Sequence, residues 1–444
     1  MGRWLTRCWP ICNHCCTDRK LNRWLLLDNL THTLIGVIAG EAVARCTRPS
    51  ADGLAAQERR NLFVTLAAVA SNLPDVDILW TLQGVRTDPL VYLLHHRGHT
   101  HTLLGCLGLL LLLQASTLLW LRWRGRKASS RDRWMLGAVS ALGLLLHLGM
   151  DALNSYGVHP FWPFDNRWYY GDAVFIVEPL YWLAAIPGLF LLRTRCARAV
   201  VILAALAALA LTTWLHAAQP WYYSSVVGLA VLLALIGWRS PARVAVCAGL
   251  AATVMLTGGF MLASALAGAR VARDAAASFP GARTRDIVLT PGPTDPRCWD
   301  LLLLQTERGQ YVARQGRLSL AAAPVAACAS IQLGSGRSAA LTPVHTATPD
   351  PAGVKIKWVG QYQMPLAQLA GLVHGDCRAQ AAMGFIRAPF VVLQQRGWLL
   401  GDLRFDREVE PGFAEPSLPA APSGHCTGAP APWLPPRADI LRSP

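Results

Sequence analysis

The feature that most constrains this chain is a series of apolar runs separated by short loops. Several runs approach the roughly 20 residues that a helix needs to cross hydrocarbon. Because 53% of the residues are hydrophobic and only 15% are charged, the composition is typical of a membrane protein. We therefore predict a mainly α fold, a polytopic membrane helical bundle, in which the short first run is re-entrant or partly buried. The runs cover residues 33–44, 62–80, 103–121, 134–150, 174–192, 199–216, 225–238 and 243–267.

The loops between the runs fall into two sets of opposite character. Loop 122–133 holds six basic residues and one acidic residue, and loops 193–198 and 239–243 are also basic. Basic loops stay in the cytoplasm, so the loops poor in Lys and Arg are predicted to face outward, together with everything after residue 268. Since the arginines fit cytoplasmic loops and no recognition motif is present, nucleic acid is not expected as a partner. The loops poor in Lys and Arg are 81–101, 151–173 and 217–224.

The region after residue 268 differs from the membrane part. Short β-like stretches such as VKIKWVGQYQMP are broken by Gly and Pro, which predicts an extramembrane α/β or β-rich domain. The Pro- and Ala-rich tail is expected to be a flexible end. The predicted organisation is an N-terminal extension (1–25), a core with membrane helices (26–175), further membrane helices (176–267), the C-terminal domain (268–410) and the tail (411–444).

Cysteines cluster at both ends of the chain. In an outward-facing domain, the four C-terminal cysteines could form two disulfides, and free buried thiols are an equal alternative; these are Cys298, Cys328, Cys377 and Cys426. The N-terminal cysteines are spaced C-x3-C-x2-C-C, which matches no standard zinc pattern; these are Cys8, Cys12, Cys15 and Cys16.

Histidines and aspartates recur at the outward ends of the apolar runs. DNLTH and HLGMD each place a His and an Asp four residues apart, so that on a helix both side chains lie on one face. LPDVD and HHRGHTH add further carboxylates and imidazoles. Taken singly, the aspartates could be helix caps and the histidines could bond neighbouring helices. Their joint occurrence on one side favours a metal site, and Thr100 or Thr102 could cap the helix that begins near residue 103.

Imidazole with carboxylate is a ligand set for zinc, and also for manganese or iron in hydrolases. Several carboxylates among several histidines indicate one or more divalent ions, with zinc as the expected metal and manganese or iron as alternatives. Asp75 or Asp77 could instead act as a general base, and Arg97 could hold a substrate anion. Asp28 and Asp172 would orient the ligand histidines. The predicted metal ligands are His32, Asp75, Asp77, His96, His101, His147 and Asp151.

These motifs together resemble the membrane-bound metal-dependent hydrolase family, also described as YdjM-like or LexA-binding inner-membrane-associated hydrolases. The resemblance rests on DNLTHTLIG, SNLPDVD, HHRGHTHT and HLGMDALNSYGVHPFWPF. It is close over residues 26–175 and looser in TPGPTDPRCW and GDLRF. Family members tend to start just before the D-x-L-T-H stretch, which is consistent with residues 1–25 being a start-site artefact. The resemblance implies a multi-pass protein of the bacterial inner membrane with a hydrolase assignment.

The predicted function is therefore hydrolysis by metal-activated water, on a phosphoester or a small or lipid-linked substrate, with membrane lipids as partners. By the loop charges, the site and the C-terminal domain would face the periplasm. One alternative is a metal-ion transporter or sensor, although transport would place polar residues near the bilayer midplane. Another is a non-catalytic scaffold with a structural metal, although structural zinc is usually four-coordinate and rich in cysteine.

Overall fold

A computed structural model of the chain shows a helical bundle followed by a β-rich domain. The helices are α1 (His14–Cys46), α2 (Ala56–Ala70), α3 (Pro89–His95), α4 (Leu103–Trp123), α5 (Ser130–Ala152), α6 (Leu180–Leu183), α7 (Arg195–Leu215), α8 (Pro220–Arg239), α9 (Ala242–Ser278), α10 (Leu366–Gly375), α11 (Cys377–Ala382) and α12 (Ala438–Leu441). The structure describes residues 14–79, 89–192, 194–215, 220–320, 325, 328, 341–344, 355–395, 397–405, 415–419 and 431–441.

Five of the helices in the described ranges are long and apolar enough to cross a membrane, namely α4, α5, α7, α8 and α9. A sixth span results if α2 is joined to Leu73–Leu79, which bends away from it by 55°. The bend falls at the SNLP sequence, where Pro74 lacks the N–H that a continuing helix requires. The first apolar run lies inside α1, where Leu34, Ile35 and Ile38 are buried. That part of α1 is thus a buried central helix.

The apolar run 174–192 does not form one spanning helix. It folds into the single turn α6 and a 3₁₀ segment, Ile186–Leu191. Pro179 precedes the first piece and Pro187 lies in the second, and each proline removes a helical hydrogen bond. Nearly every side chain from Val177 to Ile186 is buried among neighbouring helices. The run 174–192 is therefore apolar because its side chains are buried inside the helical bundle, and not because it crosses the membrane as one helix.

Two antiparallel sheets form the C-terminal domain. The first has strand order β1 (Arg283–Gly292), β2 (Asp295–Glu307), β3 (Gln310–Ser319) and β4 (Ile356–Pro365). The second contains β5 (Pro389–Gln394), β6 (Gly397–Asp402) and β7 (Ser417–Pro419). The predicted fold class, a helical membrane bundle with a β-rich C-terminal domain, is confirmed.

The four leucines 301–304 of β2 explain how this domain is attached. Successive strand residues point to opposite faces, so Leu302 and Leu304 enter the core of the domain, which includes Leu93 of α3. Leu301 and Leu303 pack against the last turns of α9, around Val271. Because both faces of the strand are covered, the run is continuously apolar, and the domain is joined to the bundle through its own core.

Disulfides and the described parts of the tail add to the domain. Cys298 is bonded to Cys328 and Cys377 is also disulfide-bonded, so that of the two alternatives the disulfide one holds for these three cysteines. Cys426 and the side chains of the N-terminal cysteine cluster lie outside the described residues. The expectation of a flexible tail is wrong for two segments. In residues 415–419, β7 pairs with β6 in the second sheet, and in residues 431–441, the side chain of Trp433 is only 4% exposed.

Arg387 connects the domain to the loop after α5. Its guanidinium donates to both carboxylate oxygens of Asp172 at 2.9 Å and contacts Asp286 at 2.7 Å and 3.0 Å. We expect Arg387→Gln to lower the free energy of unfolding by about 2–3 kcal/mol, somewhat less than for a fully buried pair, because the Asp286 side chain is 28% exposed. Thermal unfolding of the detergent-solubilised protein measures this effect.

The matched control is Arg317→Gln, because Arg317 pairs with Asp300 in a bridge whose side chains are 27% and 31% exposed. Such exposed pairs contribute about 0–1 kcal/mol. Equal losses in the two variants would show that Arg387 does not hold the domain in place.

Candidate metal centre

The four predicted segments converge at one end of the bundle. Asp28 and His32 lie on α1, and Asp75 and Asp77 follow the break after α2. The turn 96–101 precedes α4, whose start is capped as predicted: the Thr102 hydroxyl accepts a hydrogen bond from the Gly105 N–H at 2.9 Å. HLGMD occupies the last turns of α5.

Four donor atoms form the most compact group, namely Asp75 Oδ1, His101 Nε2, His147 Nε2 and Asp151 Oδ2. The Nε2 atoms of His101 and His147 lie 3.1 Å apart. Both nitrogens are 3.2–3.4 Å from Asp151 Oδ2 and 3.3–3.6 Å from Asp75 Oδ1. Five of the six edges of the group are therefore 3.1–3.6 Å long. A regular tetrahedron with edges of about 3.3 Å has its centre about 2.0 Å from each corner, which is the length of a zinc–nitrogen or zinc–oxygen bond.

The polar neighbours of the two histidines aim their Nε2 atoms into this group. His147 Nδ1 lies 2.8 Å from the carbonyl oxygen of Ser71. A carbonyl only accepts hydrogen bonds, so Nδ1 carries the proton and Nε2 of the neutral ring presents its lone pair. His101 Nδ1 lies 3.3 Å from Asp77 Oδ2. This is the carbonyl- or carboxylate-to-histidine arrangement that orients metal ligands.

The surroundings of His101 are strongly negative. Burial alone lowers the pKa of His101, but the carboxylates of Asp77, Asp151 and Asp75 more than offset it, so that the pKa stands well above its usual range. The same concentration of carboxylates in a water-poor site favours any cation there. The donor set therefore fits a divalent ion in both geometry and charge.

A second group of three donors adjoins the first. Nε2 of His32 lies 3.6 Å from Asp28 Oδ1 and 3.5 Å from Asp151 Oδ1. Both ring nitrogens of His32 are buried without a hydrogen-bond partner, which is costly unless something binds them. These three residues line a small cavity with room for a single water-sized ligand. Asp151 belongs to both groups, because its Oδ2 faces the four-donor group and its Oδ1 faces His32 in the three-donor group.

Asp77 and His96 belong to a third group with Asp75, but Asp77 is already well bonded. Its Oδ2 accepts from the Arg97 backbone N–H at 3.0 Å and from the Thr100 hydroxyl at 2.9 Å. Its Oδ1 lies 3.1 Å from His96 Nδ1. These bonds make Asp77 a clamp on the turn 96–101, so that it holds His101 in position.

Arg97 is not placed to hold a substrate anion, and that prediction is wrong. The residue is 2% exposed. Its guanidinium donates to Asp151 Oδ1 at 2.8 Å and to Asn154 Oδ1 at 3.1 Å, and it lies over the ring of Tyr156 at 4.6 Å. With its donors turned inward, Arg97 positions Asp151.

Asp172 is not part of the cluster, and its predicted role in orienting ligand histidines is also wrong. Its carboxylate is held by Arg387 of the C-terminal domain. Conversely, sequence reasoning missed Ser71, Asn154 and Tyr156. Each of these lies inside a quoted motif, SNLPDVD or HLGMDALNSYG, and that membership was the available signal.

Fold and site together define a class: a multi-pass helical membrane protein with a buried His/Asp cluster that could hold metal at one end of its bundle. The model of the YdjM inner membrane protein family matches residues 27–222. The matched segment contains every residue of the cluster, so the resemblance predicted from the motifs is confirmed over that part of the chain, and with it a membrane location. The family description names no reaction. No curated protein and no solved structure matches the chain significantly.

Proposed function

We propose that this protein is a membrane-bound, metal-dependent hydrolase. The observation that carries the proposal is the four-atom group of Asp75, His101, His147 and Asp151, whose spacing fits a tetrahedral ion such as zinc. Because four protein donors fill a tetrahedral site, an ion bound there would stabilise nearby negative charge, and a water of lowered pKa would belong to an ion in the adjoining group of His32, Asp28 and Asp151.

The protein's own residues complete this chemistry. Asp77 and the Ser71 carbonyl hold the two histidines, and Arg97 holds Asp151. His32, Asp28 and Asp151 form a three-donor position that faces a water-sized cavity, and catalytic metal sites characteristically keep one position open. Of these three, His32 and Asp151 would hold the ion, and Asp28, whose side chain is 16% exposed, would accept a proton from a water in that cavity. In this scheme Asp77 is a positioning residue, since its oxygens are occupied by the turn.

A transporter is the weaker alternative. Within the described ranges, the candidate metal groups taken together draw on α1, α5 and the segments 75–77 and 96–101, and none contains a residue of α7, α8 or α9. A conduction path needs polar groups near the middle of the membrane. Metal uptake into proteoliposomes would favour the transporter over the hydrolase.

The test is an activity screen with the purified full-length protein, loaded with Zn²⁺ or Mn²⁺. Phosphodiester, phosphomonoester, carboxylic ester and amide substrates are compared, in water-soluble and lipid-linked forms. We expect chelator-sensitive hydrolysis of one class, lost in Asp28→Asn and retained in His95→Ala, because His95 is an exposed histidine of HHRGHTH that belongs to none of the candidate metal groups among the described residues. Failure to hydrolyse any class, or hydrolysis that survives chelation, would exclude the proposal as stated.

We further propose that the cluster and the C-terminal domain face the periplasm of the inner membrane. The basic loop 122–133 connects the ends of α4 and α5 that lie away from the cluster, and basic loops remain cytoplasmic. The Cys298–Cys328 disulfide supports this orientation, because disulfides persist in oxidising compartments.

This orientation predicts the labelling of single introduced cysteines in intact cells. A membrane-impermeant maleimide should label a cysteine placed at Leu393, which is 64% exposed in the C-terminal domain. It should not label one placed at Lys127 until the cells are permeabilised. Labelling at position 127 but not at position 393 in intact cells would contradict the proposed orientation.

A further inference from the structure

An aromatic loop lies beside the metal-binding turn. In loop 161–164, the Phe164 side chain is 95% exposed and Phe161 is 45% exposed. Two such phenylalanines facing water would be costly, since burying one side chain of this kind is worth roughly 1.5–3 kcal/mol. Exposed aromatic clusters of this type mark sites of interaction with a partner or a membrane.

The loop continues the lipid-facing side of a membrane span. The Leu103 N–H, at the start of α4, donates to the carbonyl of Pro160 at 2.8 Å. From that point α4 presents an apolar stripe in which Leu104, Leu107 and Leu111 are 49%, 50% and 63% exposed. Their i, i+3, i+7 spacing places them on one face. The aromatic loop therefore lies at the level where the span leaves the hydrocarbon.

Polar groups suited to lipid headgroups follow the loop directly. Arg167, whose side chain is 68% exposed, pairs with Asp165 at 2.7 Å, and the Tyr169 hydroxyl donates to the same carboxylate at 2.7 Å. The Tyr169 ring meets Phe161 edge-on at 5.2 Å. Aromatic side chains with arginine and tyrosine beside them are typical of the membrane–water interface.

We propose that the loop 161–164 inserts its phenylalanines into the lipid leaflet on the side of the metal cluster. The partner is membrane lipid, and the argument for it is the continuity of the loop with the lipid-facing stripe of α4. This surface does not require that the cluster bind metal or catalyse a reaction.

Insertion would also set the depth of the metal cluster. Trp162 contacts the ring of His99 edge-on at 4.6 Å, and His99 begins the 3₁₀ turn that ends at His101. A loop anchored at the level of the headgroups thus holds the turn, and His101 with it, near the same level.

Photocrosslinking tests the inserted loop in the full-length protein in native membranes. Benzoylphenylalanine is introduced in place of Phe164, of Leu111 as the lipid-facing reference, and of Leu393 as the matched control, because Leu393 is 64% exposed in the C-terminal domain. After irradiation, lipid adducts are quantified by mass spectrometry. We expect the yield at position 164 to be within about three-fold of that at position 111 and at least ten-fold above that at position 393.

Two results would overturn the inference. One is a lipid adduct at position 111 with none at position 164, including the case in which position 164 reacts only with protein. The other is an equal yield at positions 164 and 393, which would show that the loop has no more access to lipid than the surface of the extramembrane domain.

Discussion

Replacing His147 with alanine is expected to weaken Zn²⁺ binding by about 100-fold or more, since loss of a mere orienting partner of a ligand already costs 10–100-fold. His147 contributes one of four donor atoms and is fully buried. Bound metal in the purified protein, counted by elemental analysis after dialysis against a weak chelator, should fall by at least one ion per chain.

The same variant should lose most of the stabilisation that metal provides. At a free Zn²⁺ concentration 100 times the dissociation constant of the unaltered protein, binding raises the free energy of unfolding by about 2.7 kcal/mol. With affinity reduced 100-fold, the gain at that concentration falls to about 0.4 kcal/mol. The shift of the thermal midpoint on adding Zn²⁺ measures the difference.

Two further variants keep this prediction decisive. His147→Gln fills most of the space of the ring, so its metal content separates ligand loss from the effect of a cavity. His95→Ala removes an exposed histidine that belongs to none of the candidate metal groups among the described residues, and it should bind as the unaltered protein does. Unchanged metal content in both His147 variants would show that His147 is not a metal ligand and would contradict the proposed four-donor site.

Arg97→Met is expected to destabilise the metal-free protein by about 3–5 kcal/mol, the usual result of removing one partner of a buried ion pair. The side chains of Arg97 and Asp151 are 3% and 2% exposed, so water cannot compensate the carboxylate that remains. The variant also loses the bond to Asn154 and the contact with the Tyr156 ring. Thermal unfolding after chelation measures the loss.

Zn²⁺ should restore part of the stability of Arg97→Met, because a cation in the four-donor group again faces Asp151. The matched control is Arg167→Met, since the Arg167 side chain is 68% exposed beside Asp165, and such pairs contribute about 0–1 kcal/mol. If Arg97 instead bound a substrate anion, the variant would keep its stability and show only a raised KM. That result would contradict the structural role assigned to Arg97.

The location of the cluster could be predicted from local spacing. DNLTH and HLGMD each place two ligand-type residues one helical turn apart, and the loop charges predicted that all the motifs share one membrane side. The structure brings these residues together as predicted: the ligand atoms of Asp75, His101, His147 and Asp151 lie within 4.8 Å of one another, and His32 forms a second such group with Asp28 and Asp151. Residue type and helical period suffice to predict which side chains share a helix face, because the face follows from a residue's position in the helix.

The roles of the individual charges could not be predicted in the same way. Arg97 and Asp172 both stand in or near motifs, yet Arg97 turns inward to Asp151 and Asp172 is taken by Arg387, 215 residues away. Which opposite charge a buried group meets depends on packing between distant segments. The run 174–192 shows the same limit, since its apolar residues serve burial inside the bundle and do not form a span.

Hydrophobic runs, loop charges and the period of His and Asp thus sufficed for the membrane class, the helical bundle and the end of the bundle that carries the cluster, because these follow from transfer free energies and helical geometry that act locally. Only the tertiary structure decided which oxygen of Asp151 faces which histidines, that Asp77 clamps a turn and that the tail around Trp433 is docked. Those outcomes depend on contacts between segments far apart in the chain, where each buried polar group must find its partner in the folded packing.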